Sequence, residues 1–357
     1  MFGPRTEGTE HLLVPHGGSL SSYGGLVLAE QLRSPRPVGE RPLDRVDVAV
    51  PEPGPNEVQI DVAACGVCRT DLQIVEGDLE ARRLPIIPGH QIVGRITRVG
   101  SDVAGWNPGD RAGVAWLAGA CGACDRCVEG LENLCDDAVF TGWDRNGGYA
   151  QTVVADAEFA LAIPDSFDDL EAAPLMCGGV IGYRALKLSG VEPGGKVGLF
   201  GFGASALLAL QVAVHRGCKA YVITRSQAGR RRALEMGATW AGGYDQVPPV
   251  ALDGAITFAP VGSVVVEALQ AIRPGGTVAV NAIHLDAIPE FDYDLLWRER
   301  VVRSVANFTR RDAEEFLALA ADIPIETVVD AYPLGRANEA LQALDSGRPQ
   351  GAVVLTT

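Results

Sequence analysis

Four cysteines, Cys121, Cys124, Cys127 and Cys135, stand in the pattern C-x2-C-x2-C-x7-C. Two-residue gaps let a tight loop turn successive sulfurs toward one point, and the Gly-rich run from Ala118 to Gly122 supplies such a loop. The pattern reads as a tetrathiolate zinc site. Zinc accepts a tetrahedron of thiolates without a d-electron preference, and four sulfurs leave no open coordination position. Such a site staples a lobe of the fold and does no chemistry. The alternatives are unconnected buried thiols, or a pair of disulfides, which needs an oxidising compartment that nothing else in the chain suggests.

The chain has 357 residues, 47% of them apolar and 21% charged, which suits a globular protein with room for two cores. No apolar run approaches the ~20 residues that span a bilayer, so no membrane partner is expected. No basic segment followed by an apolar core marks a secretory leader, and the cytoplasm is the expected compartment. A net charge of -15 argues against binding a phosphate backbone, so no nucleic acid is expected either. Residues 1–25, rich in Gly, Ser and Pro, read as a flexible extension.

The first folded part is β-rich. Val46–Val50 and Glu57–Val62 alternate at period two across a turn run, and Gln91–Val99 and Arg111–Val114 read as further strands. Short strands broken by Gly and Pro turns suggest an irregular barrel. Near residue 180 the pattern changes. Gly182–Leu188 reads as a helix, followed by a short apolar strand Lys196–Phe200, a helix from about Ala204 to Arg216 and a strand Ala220–Ile223. Further strands follow at Gly254–Phe258 and Thr277–Asn281. Apolar strands alternating with helices mean βαβ units and a parallel sheet, so the fold class is α/β. From about Arg310 the chain returns to a helix, a strand and the closing run Gly351–Leu355.

Gly201-Phe202-Gly203-Ala204-Ser205-Ala206 fits G-x-G-x-x-A between an expected strand and an expected helix. Gly201 permits the tight turn, Gly203 lets the backbone approach a pyrophosphate, Ala204 opens the helix and Ala206 allows close helix–strand packing. The second strand usually ends in a carboxylate that bonds the ribose of NAD. Here it runs Ile223-Thr224-Arg225-Ser226, with Arg230, Arg231 and Arg232 close behind. A hydroxyl and guanidinium groups suit a 2′-phosphate, so Thr224 and Arg225 favour NADP(H) over NAD(H). The alternative is that the arginines are a solvated helix face.

Three more segments complete the pattern: Gly66-Val67-Cys68-Arg69-Thr70-Asp71, Pro88-Gly89-His90-Gln91 and Pro174-Leu175-Met176-Cys177-Gly178-Gly179. With the cysteine lobe and the Gly-rich turn, the chain from about residue 26 onward resembles the zinc-dependent alcohol dehydrogenases of the medium-chain dehydrogenase/reductase superfamily. Gly201–Ala206 and Ser304-Val305-Ala306-Asn307 resemble a bacterial branch of it. The resemblance implies a GroES-like catalytic domain at 26–178 with its zinc lobe at 118–136, a Rossmann cofactor domain at 179–308, and a return to the catalytic domain at 309–357. It implies a second, catalytic zinc on Cys68, His90 and Cys177, with an open position for a substrate oxygen. By position it gives Asp71 the orientation of His90, Thr70 the exchange of a proton with the substrate oxygen, Arg69 a contact to the cofactor pyrophosphate, and Trp116 and Trp143 the substrate pocket. The two tryptophans also read as plain core aromatics. Cys65 and Cys218 match no ligand position.

The chain departs from the family pattern at three places. Gln73 stands where many members relay the proton through a histidine, Gln91 where glutamate is common after the zinc histidine, and Leu207 where a polar residue is expected. The leading expectation is an enzyme, an NAD(P)-dependent zinc alcohol dehydrogenase or carbonyl reductase. It would carry two zinc ions per subunit and act on a small alcohol, carbonyl or imine as a homodimer or homotetramer. A reductase of an iminium or conjugated C=C bond is a second reading, and a catalytically silent binding or structural protein a third.

Overall fold

The computed structural model describes residues 25–347 and 351–357. The expected N-terminal extension, 1–25, lies outside the described residues except for Gly25. Two sheets organise the chain. One has seven strands. Glu57–Val67 lies at its centre and pairs antiparallel with Gln91–Val99 and Thr152–Asp156, and at its C-terminal end with Ala352–Thr356. The last strand of the chain thus completes a sheet begun by the first half. A separate hairpin joins Leu26–Leu32 to Leu43–Ala49, so the alternating run near Val46 is a strand that does not pair with its sequence neighbour Glu57–Val67.

The second sheet has six parallel strands, in the spatial order Trp240–Gly242, Lys219–Ile223, Lys196–Phe200, Leu252–Thr257, Ile272–Val280 and Val301–Ser304. The order reverses between Lys196–Phe200 and Leu252–Thr257. Ligands of such sheets bind in the crevice at that point. Gly201 follows the first of these strands with φ +95°, a conformation that favours glycine. The α/β architecture, a GroES-like catalytic unit with a Rossmann sheet, is the one expected.

The helix expected at Gly182–Leu188 begins earlier, at Gly178. Glycines weaken helix propensity and hid its first turn. They are there because the helix is sandwiched. A Cβ on Gly179 would come 2.4 Å from the Phe316 ring, and one on Gly182 would lie 3.1 Å from the Ser205 carbonyl. The sandwiching helices are Arg310–Asp322 and Ala204–His215. Charge locks the first of these contacts. Arg184 pairs with buried Asp312, which also accepts from Lys187 Nζ at 2.8 Å and from Thr309 N at 3.0 Å.

Burial alone would raise the Asp312 pKa, but Lys187, the Thr309 amide and Arg184 outweigh it and hold it below the ordinary value of 3.8. The carboxylate therefore stabilises the fold at pH above that range, and the contribution fades as pH falls through its folded value. Asp312→Ala leaves the Arg184 guanidinium, 9% exposed, without its partner. We expect a loss of about 3–5 kcal/mol in denaturant unfolding; a loss below about 1 kcal/mol would show that the guanidinium reaches water instead.

Candidate active site

Strand Glu57–Val67 ends at Cys68, which is the N-cap of helix Arg69–Glu76. A capping box builds this start. The Cys68 sulfur accepts from Thr70 N at 3.3 Å, and Asp71 Oδ2 accepts from Cys68 N at 2.8 Å. The other Asp71 oxygen accepts from Gly89 N at 3.2 Å and lies 3.0 Å from His90 Nδ1. With Nδ1 turned to that carboxylate, His90 Nε2 faces the Cys68 sulfur at 3.3 Å. Cys177, N-cap of helix Gly178–Leu188, completes the set. The ligand atoms of Cys68, His90 and Cys177 lie within 4.8 Å of one another. A tetrahedral zinc centre would hold sulfur and imidazole nitrogen about 3.6 Å apart, so the donors present fit such an ion.

The charges of the set agree. Cys177 shares its proton with Cys68; chiefly for that reason Cys68 lies well below its ordinary value and Cys177 well above. Burial is the largest influence on Asp71 and raises it. Burial would lower His90, yet the charges of Asp71 and then Cys68 outweigh it and push it up to about 10. The cluster attracts positive charge.

The second set is the cysteine lobe. Its four sulfurs also lie within 4.8 Å of one another, and Cys121 Sγ and Cys127 Sγ are 3.9 Å apart. Regular zinc–thiolate geometry gives about 3.8 Å. A disulfide would need about 2.05 Å, and all four thiols are free. Backbone N–H groups of Ala123 and Cys124 turn onto the Cys121 sulfur and hold it down to about 7. The lobe docks on the exit from the parallel sheet: Glu132 accepts from Arg310 N at 3.1 Å and Nε at 3.0 Å, and Asn133 donates to the Ala306 carbonyl at 2.6 Å.

A cavity of about 860 Å³ opens beside the Gly-rich turn. Phe202, Gly203, Ala204 and Leu207 line it on one side, Ser226, Gly229 and Arg231 on another. Gly203 has nothing within 4 Å of where a Cβ would stand, so its backbone is open to a ligand at the start of helix Ala204–His215. Ala206 is fully buried.

The segment 54–165 matches the model of the alcohol dehydrogenase GroES-like domain. The chain is 47% identical over 333 residues to a Mycobacterium tuberculosis protein described as "Probable alcohol dehydrogenase AdhA", covering 92% of this chain and 96% of that one. Among solved structures it is similar to a cinnamyl alcohol dehydrogenase from Sorghum bicolor, with TM-score 0.85, 26% identity and coverage of 93% and 97%. It is also similar to a Helicobacter pylori CAD complexed with NADP(H), with TM-score 0.83, 25% identity and coverage of 93% and 98%. The chain belongs to the zinc-dependent alcohol dehydrogenase family. It is an NAD(P)-dependent enzyme acting on alcohols and carbonyls.

Within this dehydrogenase the remaining expected residues are spread. Thr70 is half-buried beside Cys68, and Gln73 is buried one turn further on, its Oε1 without a hydrogen-bond partner among the described residues. Arg69 is exposed and pairs with Asp345 at 3.6 Å. Trp116 is 7% exposed with its ring 4.7 Å from that of His90, and Trp143 stacks on it at 5.8 Å. Thr224 is buried and its hydroxyl accepts from Ser226 N at 3.4 Å, while Arg225 is exposed and does not line the cavity. Arg230 folds back onto the Thr224 and Arg225 carbonyls, at 2.9 and 3.3 Å. Ser226 and Arg231 face the cavity instead. Ser226 caps helix Gln227–Glu235 by accepting from Gly229 N at 3.0 Å, and a serine opening a helical run was the available signal for it.

Metal binding must displace the protons that His90 and Cys177 carry near neutral pH. Both groups hold their protons more tightly than usual when no metal is bound, so metal affinity should rise with pH across the neutral range. Zinc added to stripped protein should release protons, and a chelator should extract zinc faster as pH falls from neutrality. Extraction independent of pH would overturn this account.

Proposed function

We propose that the chain interconverts an alcohol and its aldehyde or ketone by hydride exchange with NADP(H), using zinc held by Cys68, His90 and Cys177. The observation that carries the reading is the convergence of these three donors, with Asp71 behind His90, next to an open Gly-rich turn. Zinc bound there supplies Lewis acidity toward the alcohol or carbonyl oxygen. Asp71 holds His90 through Nδ1, so that Nε2 keeps its lone pair for the metal. The Thr70 hydroxyl both donates and accepts, and moves the proton at the substrate oxygen. Gly201, Gly203 and Ala204 admit the pyrophosphate, with Arg69 a charge partner beside the cleft.

The cysteine lobe takes a second zinc in a structural role. The NADP(H) preference rests on the missing carboxylate after Ile223, with Ser226 and Arg231 offering a hydroxyl and a guanidinium at the cavity and Thr224 next to Ser226. The substrate is a small molecule. An assembly of copies is supported by the strand Val301–Ser304, which ends its sheet among the described residues, with Tyr293 and Trp297 exposed just before it in the chain, since an edge strand is open to pairing with another chain. Among the described residues no helix is long and apolar enough to cross a membrane. Intact donor sets favour an enzyme over a silent relative, and the iminium or C=C reading has no observation of its own.

Elemental analysis should find two zinc ions per subunit. Cys124→Ser should lower thermal stability, while Cys177→Ser should keep the fold and lose turnover. One zinc per subunit would remove one donor set from the proposal.

Oxidation of NADPH with a panel of aldehydes and ketones should exceed that of NADH in kcat/KM. Thr224→Asp should reverse the order, through a new acceptor for the ribose hydroxyl and repulsion of the 2′-phosphate. Equal or better efficiency of the wild type with NADH sinks the cofactor assignment.

A further inference from the structure

We propose that Arg82 determines substrate specificity by positioning the outer wall of the substrate site; this rests on Cys68, His90 and Cys177 being the reaction centre. The wall is a stack of rings that starts at the centre. The His90 ring meets Trp116 edge-on, at 77° between planes. Trp116 stacks on Phe140 at 5.5 Å and on Trp143 at 5.8 Å, with interplanar angles of 28° and 21°. Burial falls along the stack. Trp116 is enclosed, while Trp143 at its outer end is only half-buried.

A half-buried indole on a loop swings between rotamers unless it is held. Here the loop between helix Arg69–Glu76 and strand Gln91–Val99 holds it. Trp143 Nε1 donates to the Glu80 carbonyl at 2.8 Å. The Arg82 guanidinium lies 3.9 Å from the centre of the Trp143 ring and 5.5 Å from that of Phe140. Cation and ring attract through the ring quadrupole, and a planar guanidinium stacks better than an ammonium. Arg82 is itself held: Asp144 accepts from its Nη1 at 3.3 Å on Oδ1 and 3.2 Å on Oδ2. Asp144 Oδ2 also accepts from Phe140 N at 2.9 Å. One side chain therefore ties two loops and two rings together. A rigid apolar wall leading from the reacting atoms favours substrates whose reacting carbon carries a flat apolar group, because such groups gain most from ring contact. Arg82 is a positioning residue in this scheme and touches no reacting atom.

The test uses the zinc-loaded enzyme with its preferred cofactor, benzyl alcohol and ethanol. Arg82→Ala should lower the ratio of kcat/KM for benzyl alcohol over ethanol by about fivefold, as loss of a partly exposed cation–π contact implies. The fall should come through the KM for benzyl alcohol more than through kcat. Arg82→Lys keeps the cation and should recover part of the ratio. A ratio unchanged within twofold in Arg82→Ala overturns the proposal, as does an equal loss for both alcohols, which is what a purely structural role produces. A fully zinc-loaded wild type that oxidises neither alcohol overturns the reading of the centre. Benzyl alcohol affinity, read from tryptophan fluorescence, then still decides Arg82: a weaker affinity in Arg82→Ala supports it and an unchanged one refutes it.

Discussion

A carboxylate sealed from water must be answered by donors, and Asp71, fully buried, organises the centre around that requirement. Its three partners are Cys68 N, Gly89 N and the His90 ring. They come from two pieces of chain: the end of strand Glu57–Val67 and the loop before strand Gln91–Val99. One side chain thus sets the registry of two candidate metal donors, starts a helix and fixes the imidazole orientation. Gly89 makes this possible. Its φ is +96°, and a Cβ there would come 2.3 Å from the buried Tyr149 ring. Only a residue without a side chain fits against Tyr149 and still aims its N–H at Asp71.

The third donor arrives from another layer. Cys177 is carried by helix Gly178–Leu188, whose place is set by contacts that need bare backbone: a Cβ on Gly178 would stand 3.2 Å from Ser205 Oγ, one on Gly182 3.2 Å from the Ala209 methyl, and one on Gly179 against the Phe316 ring. Ser205 belongs to the Gly-rich turn and helix that face the cavity. The same contacts therefore fix the spacing between the donor set and the nucleotide turn. The proposed hydride exchange would require that spacing to be held closely, and these glycines would then serve function through packing. The Arg184–Asp312 lock ties this helix to helix Arg310–Asp322, whose first residue in turn pairs with Glu132 of the cysteine lobe.

Much of this was legible in the residues. The cysteine spacing pointed to one centre because local geometry alone brings those sulfurs together. The Gly-rich turn was legible because its strand and helix flank it within a few residues. The pairing of Cys68, His90 and Cys177 was not legible from spacing, since it depends on a sheet register and a helix sandwich; resemblance supplied it. What neither supplied lies in side-chain direction. Thr224 and Arg225 were read as suiting a 2′-phosphate; Arg230 folds over their carbonyls, and Arg231 is the guanidinium that lines the cavity. The helix phase decides that, and one residue of shift turns a side chain by 100°. Arg82 carried no motif at all, because its partners Trp143 and Asp144 lie on a loop far along the chain.

The two buried amides near the centre follow from the same balance of charge. With a divalent cation in the proposed site, the two cysteines as thiolates would match its charge, and Asp71 would add a further negative charge behind His90. A glutamate at position 91 would add another in a region closed to water, where an unpaired charge is costly. Gln91 is neutral and serves packing instead: its Oε1 lies 2.6 Å from where a Cβ on Gly66 would stand. Gln73 differs in having a buried Oε1 with no donor against it among the described residues. An amide takes up no proton near neutral pH. In the proposed reaction Thr70 would then be the last side chain along helix Arg69–Glu76 with an exchangeable hydroxyl proton, and a proton leaving the substrate oxygen would pass from it to a ligand hydroxyl or to water.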